Sequence, residues 1–305
     1  MHREAFSTSR NPVIPGTDVT PRRALKTAHR SLMTPIHIRS NAFFGRRSVL
    51  TCLALLLLTL SLVLLMGEKK PLREVLPPKA LQAIPKNLSG LTWNAETGTL
   101  FAVTNGPEYA YELSLEGDVL RSIRLRGFKD TEGITHIAGT LFAVVEERKG
   151  ILCLFHIPAN ATEIDHDGVS RLKLGKTRKK NKGFETVSYD PATRTLYTMR
   201  EGKPFVRLAI PLDDQFRPGV IRTSPLPGLR VKDVASIVSD TDGTLWVLSE
   251  ASSRIVQLDR DGRELRAFRL PIDTKTFQPE GITLGPAGKI ILAGEPNILA
   301  IYEIP

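Results

Sequence analysis

One pattern recurs five times along this chain, and it restricts the possible folds more than any other feature. From Leu88 the sequence reads LSGLTWNAETGTLFAVTN, then YAYELS and VLRSIRL; from Asp130 it reads DTEGITHIAGTLFAVVEE, then ILCLFHI and SRLKL. From Gly183 come GFETVSYDPATRTLYTMRE, FVRLAIP and VIRTSPL, and from Lys232 come KDVASIVSDTDGTLWVLSE, RIVQLD and ELRAFRL. The last copy, from Gln278, is QPEGITLGPAGKIILAGE with LAIYEI. Each full copy holds four short segments rich in Val, Ile, Leu, Thr and aromatic residues, separated by turn sequences such as AETGT, DPATRT and DTDGT. Copies of four strands at a spacing of 42–53 residues predict the blades of a β-propeller.

The expected fold is all-β: four-stranded blades, five by this count, or six if an irregular blade lies within 155–182 or 206–231. The first strand of each blade lines the axis and the fourth forms the rim. The fifth copy lacks a rim strand, and residues 72–84 (LREVLPPKALQAI) can supply one, with LQAI the expected segment. Such closure removes an exposed sheet edge. An open β-sandwich would not produce the recurrence.

The same alignment predicts a site. The start of each first strand and the end of each second strand should face one mouth of the ring. Those positions are Ser89 and Asn105; Glu132 with Glu146 and Glu147; Glu185 with Arg200 and Glu201; Ala235 with Ser249 and Glu250; and Glu280 with Glu295. Carboxylates this close cannot all ionise near neutral pH without positive charge among them. A metal ion, the arginines Arg148 and Arg200, or a cationic ligand could supply it. Oxygen donors with no Cys and little His point to Ca²⁺ or Mg²⁺, and Ca²⁺ held by Glu132, Glu185, Glu280, Glu146, Glu201, Glu250 and Glu295 is the expected cofactor. The competing account is that these acids bond backbone N–H groups between blades and bind nothing.

Ahead of the repeats the chain changes character. Residues 1–47 hold nine Lys/Arg against Glu4 and Asp18, which accounts for +7 of the net +10. The basic balance therefore belongs to the arm, and no nucleic-acid partner is expected. The run VLTCLALLLLTLSLVLLM, residues 49–66, is uncharged and long enough, at roughly 1.5 Å per residue, to cross a hydrocarbon core. The expectation is a cytoplasmic arm (1–47) without periodic structure, a transmembrane anchor (48–67) and a periplasmic propeller (68–305), single-pass in the inner membrane by the positive-inside rule. No small-x-small cleavage site follows the run, which favours an uncleaved anchor over a signal peptide. Cys52 lies in the anchor and Cys153 in a strand, so neither a disulfide framework nor a cysteine metal site is expected.

Other chemistry is sparse. No GxSxG elbow exists, and Ser89 in LSGL is read as a tight-turn residue. His136 could face the axis, His156 and His166 lie near blade edges without metal-ligand spacing, and TRKKNK (177–182) is read as a solvated basic loop. The expected role is recognition of a small ligand or protein at the mouth. The alternative is a Ca²⁺-dependent hydrolase of lactones or phosphoesters, with Glu147 activating water and Arg148 or Arg200 holding developing negative charge.

The segments LSGLTWN…LFAVTN, DTEGIT…EER, NKGFETVSYD…RE, LSE and QPEGIT…EPN resemble the SdiA-regulated family, including its YjiK-like members, over residues 72–305. The resemblance implies a propeller behind an N-terminal anchor with calcium at the axial mouth, and brings no established activity. Its acidic positions would fall on Glu132, Glu146, Glu147, Glu185, Glu280 and Glu295. KDVASI departs from the pattern, with Ala235–Ser236 where a Ser–Gly or Glu–Gly pair is expected, although Asp233 is near.

Overall fold

The computed structural model describes residues 72–175 and 183–304. The basic arm, the apolar run 49–66 and the loop 177–182 lie outside them. Among the described residues, no helix is long and apolar enough to cross a membrane.

Strand β1 (Arg73–Ala80) comes first. The first repeat forms β2 (Leu88–Asn94), β3 (Thr99–Thr104), β4 (Tyr109–Leu113) and β5 (Val119–Arg126), and the second forms β6 (Thr131–Ala138), β7 (Leu141–Glu146), β8 (Ile151–His156), β9 (Glu163–Asp165) and β10 (Ser170–Lys173). Then follow β11 (Ser188–Asp190), β12 (Thr195–Met199), β13 (Val206–Pro211) and β14 (Arg222–Pro225), and β15 (Ser236–Ser239), β16 (Leu245–Ser249), β17 (Arg254–Leu258) and β18 (Glu264–Arg269). The last repeat gives β19 (Gln278–Leu284), β20 (Ile290–Glu295) and β21 (Ile298–Glu303).

These strands make five sheets, one per blade, each ordered outward from its first strand. The fifth blade runs β19–β20–β21–β1, so the chain closes the ring with its own N-terminal strand. Arg73 lies opposite Glu303 and Ala80 opposite Ile298. The closing strand is therefore residues 73–80 and not LQAI. Leu81 and Ile84 are buried, at 2% and 0% exposure, in the core shared by blades one and five. Nearly all of β1 is exposed, as an outermost strand should be. Pro77 and Pro78 deprive it of two N–H donors, which blunts its free edge.

Among the described residues no sixth blade forms. Part of the long stretch 155–182 becomes β9, which runs parallel to β5 and adds a fifth strand to the first blade. A short 3₁₀ turn, His166–Gly168, then leads into β10. The stretch 206–231 supplies β13 and β14 with longer connections.

Neighbouring blades are joined in two ways. An apolar cluster fills each junction; between the fourth and fifth blades it contains Trp246, Phe268, Ile282, Leu292 and Tyr302. A set of hydroxyl latches also runs around the axis. Thr92, Thr135, Ser188 and Thr283, one on each of four first strands, accept the N–H of His136, Tyr189, Ser239 and Trp93 on the next blade, at 3.1, 3.1, 2.7 and 2.9 Å. The fourth blade has Val238 at that position, so this hydroxyl is missing between blades four and five. Nearer the acid-bearing ends the first strands almost touch: a Cβ on Gly133 would lie 2.7 Å from the Glu185 carbonyl oxygen. Glycine at this point lets the strands bring their side chains into one small opening.

Candidate metal centre

The first strands begin and the second strands end at one mouth, where a cavity of about 260 Å³ opens. It is lined by Ser89 and Asn105 from the first blade; Asp130, Glu132, Glu147 and Arg148 from the second; Glu185 and Glu201 from the third; Asp233, Ala235 and Glu250 from the fourth; and Glu280 and Glu295 from the fifth. That is nine carboxyl groups and one guanidinium among the described residues.

The first-strand glutamates Glu132, Glu185 and Glu280 are half-buried where they line the mouth. Burial pushes Glu132 up to about 8, opposed by a bond from the Ser89 hydroxyl and reinforced by Asp130, Glu147 and Glu280. Burial also lifts Glu185, to about 10, with Glu201, Glu147, Glu132 and Glu280 adding repulsion. Glu280 rises to about 8 for the same first reason, then through Glu250, Glu295, Asp233 and Glu201. Glu147 and Glu250 are raised too, again mainly by burial. Glu132, Glu185 and Glu280 thus hold protons at neutral pH that a bound cation would displace.

Hydrogen bonds aim these groups. The Asn105 amide donates to Glu132, and the Gly183 N–H donates to Glu147 Oε1 at 2.8 Å, joining blades two and three. Asp130 Oδ2 accepts the Arg148 N–H at 3.0 Å and lies 3.2 Å from Arg148 Nε. One oxygen each from Asp130, Glu132 and Glu147 lies within 4.8 Å of the others. Oxygen donors alone, three of them gathered this closely, suit a hard cation such as Ca²⁺.

Six of the seven expected metal ligands line the mouth: Glu132, Glu185, Glu201, Glu250, Glu280 and Glu295. Glu146 does not. It is fully buried inside the second blade, where Oε2 meets His166 Nε2 at 2.9 Å and Oε1 accepts the Lys129 N–H at 2.6 Å and meets Lys149 Nζ at 2.9 Å. Glu147, expected as a catalytic base, is in the mouth instead. Arg148 lines the cavity, whereas the Arg200 guanidinium lies over the Phe184 ring, 4.8 Å from its centroid.

Ser89 is not a turn residue: it sits within β2 and bonds Glu132. His136 lines a cavity at the other end of the first strands, with Nε2 2.9 Å from the Gly139 carbonyl oxygen. His166 is a buried partner of Glu146, not an edge residue. Asp130 lines the mouth although the repeat alignment does not name it, and Asp233, read above only as near the fourth copy's departure from the pattern, lines it too. Each stands two residues before the axial position of its blade, as Asn87 does, and that spacing was the available signal. Both caps are alike: Asp233 accepts from the Ser249 hydroxyl and the Ala251 N–H, much as Asp130 accepts from Arg148.

Solved structures similar to this chain include regucalcin, a calcium-binding protein from Agrobacterium tumefaciens str. C58, at 13% identity and a TM-score of 0.48, covering 75% of this chain and 94% of that one. A gluconolactonase from Xanthomonas campestris is similar at 15% identity and a TM-score of 0.47, covering 78% and 96%. A luciferin-regenerating enzyme is similar at 13% identity and a TM-score of 0.47, covering 73% and 94%. The family match is broader in what it establishes, since it runs over residues 68–303, nearly the whole propeller: the chain belongs to the SdiA-regulated family.

Proposed function

We propose that this protein is a calcium-dependent recognition module, its axial mouth binding Ca²⁺ and presenting the ion to a small ligand or protein. The observation that carries this reading is the convergence of Glu132, Glu185 and Glu280 on one opening, all raised well above the ordinary carboxylate range. Acids crowded at one opening must either keep their protons or repel one another, and a divalent cation relieves that repulsion while tying three blades together.

Calorimetric titration of the chain with Ca²⁺ tests this. Saturable binding is expected, reduced at least tenfold in Glu132→Gln/Glu280→Gln. Because the ion displaces protons, the measured heat should also change between buffers of different ionisation enthalpy. No saturable heat in the wild type would defeat the reading.

A second reading, a Ca²⁺-dependent hydrolase of lactones or phosphoesters, is favoured by one feature: Arg148 lies at the mouth beside Asp130, where it could hold developing negative charge. Turnover of such esters, lost in Arg148→Gln while Ca²⁺ binding persists, would establish it.

We further propose that residues 49–66 hold the chain in the inner membrane, with residues 1–47 in the cytoplasm and the propeller periplasmic. The uncharged run and the basic excess before it support this. A C-terminal alkaline phosphatase fusion should be active and should sediment with membranes; an inactive fusion would reverse the orientation.

A further inference from the structure

Away from the mouth, the second blade gathers three donors of different chemistry. Glu146 ends β7, Cys153 lies in β8 and His166 begins the 3₁₀ turn before β10. His166 Nε2 is 2.9 Å from Glu146 Oε2, and Cys153 Sγ is 3.8 Å from that oxygen and 3.9 Å from that nitrogen. Donors around a tetrahedral zinc ion, with bonds of about 2.0–2.3 Å, stand roughly 3.2–3.8 Å apart. The observed separations are already close to that. The carboxylate is also held in place from behind, since Oε1 accepts the Lys129 N–H and meets Lys149 Nζ.

We propose that Glu146, Cys153 and His166 form a buried site for a thiophilic divalent cation such as Zn²⁺, separate from the oxygen-only mouth. Sulfur, nitrogen and oxygen donors together select such an ion over Ca²⁺. With Cys153 and Glu146 fully buried, the ion reaches the site past the His166 side chain, which is 11% exposed.

The proton balance follows from Arg171, whose Nη1 is 3.3 Å from His166 Nδ1. A guanidinium only donates, so Nδ1 accepts and the neutral imidazole carries its proton on Nε2, toward Glu146. On binding, the thiol proton leaves to solvent and the metal–sulfur bond forms. The imidazole proton moves from Nε2 to Nδ1, Nε2 binds the ion, and Arg171 turns away. Thiolate and carboxylate then match the divalent charge, with Lys149 remaining paired to Glu146 Oε1 on the far side of the carboxylate. One proton is released, so affinity should fall about tenfold for each pH unit lowered.

The test is a Co²⁺ titration of the full chain with excess Ca²⁺ present to fill the mouth. A sulfur-to-cobalt charge-transfer band in the near ultraviolet is expected, bleached by Zn²⁺. Cys153→Ser should abolish it and Cys52→Ser should not. Arg171→Gln, which gives Nδ1–H an acceptor and removes a positive charge, should tighten binding severalfold. No band in the wild type would overturn the proposal. So would a band that survives Cys153→Ser, or one that survives both Glu146→Gln and His166→Gln, which would mean a thiol acting alone.

Discussion

At the scale of single residues, the mouth makes the protein pH-sensitive in an unusual direction. Glu132 and Glu280 titrate near 8 and Glu185 near 10 in the folded protein, whereas in the unfolded chain all three should titrate near the ordinary value of about 4.3. Between these limits the folded state binds more protons than the unfolded one, so without metal stability should fall as pH rises from about 5 to 8. Thermal unfolding in a chelator should show a melting temperature that declines across that range. Added Ca²⁺ should reverse the decline, and Glu280→Gln should flatten it; a melting temperature that rises with pH would contradict the assignment. The acids were legible in the sequence because the repeats superimpose equivalent positions. Glu146 was not, because neighbours in a strand point to opposite faces. Repeat alignment placed the Glu146–Glu147 pair at the end of a strand and could not say which member turned toward the axis.

At the scale of elements, the hydroxyl latches explain why short first strands suffice. Strand β11 has three residues and β15 four, yet Ser188 joins them through the Ser239 N–H. Each latch replaces an otherwise unsatisfied N–H and should contribute about 1 kcal/mol. Thr135→Val is therefore expected to destabilise the fold by about 1–2 kcal/mol. Val238→Thr, which offers the missing hydroxyl, should recover up to about 1 kcal/mol. Denaturant unfolding of both variants checks this, and a Thr135→Val midpoint equal to that of the wild type would remove the latches from the account. Strand count and turn positions were readable from alternation and turn residues. The identity of the closing strand was not. LQAI is the more apolar segment, but its residues form a turn from which Leu81 and Ile84 fill the core between two blades, while the more polar segment before them pairs with β21.

At the scale of the whole molecule, five repeats and their spacing were enough to give a closed ring, because no blade can bury its faces alone. The parts between repeats were less legible. The surplus around 155–182 could be counted but not placed, since a parallel pairing such as β9 on β5 leaves no periodic mark. Closure by β1 makes the ring depend on residues 73–80. A chain beginning at residue 81 should leave β21 as an open edge, melt several degrees lower than one beginning at 68, and self-associate on size-exclusion chromatography. Equal melting of the two would show that the ring does not need its clasp. The same clasp sets how the molecule bears mechanical load. A pull on the chain ahead of residue 72 enters through β1 at the end where Arg73 pairs with Glu303. Force along the strand shears all of its partners together, whereas force across it peels them in turn from Arg73, with two prolines in the path. The propeller should therefore resist a tug in line with its rim and yield to a sideways one, opening first at the seam where its two ends meet.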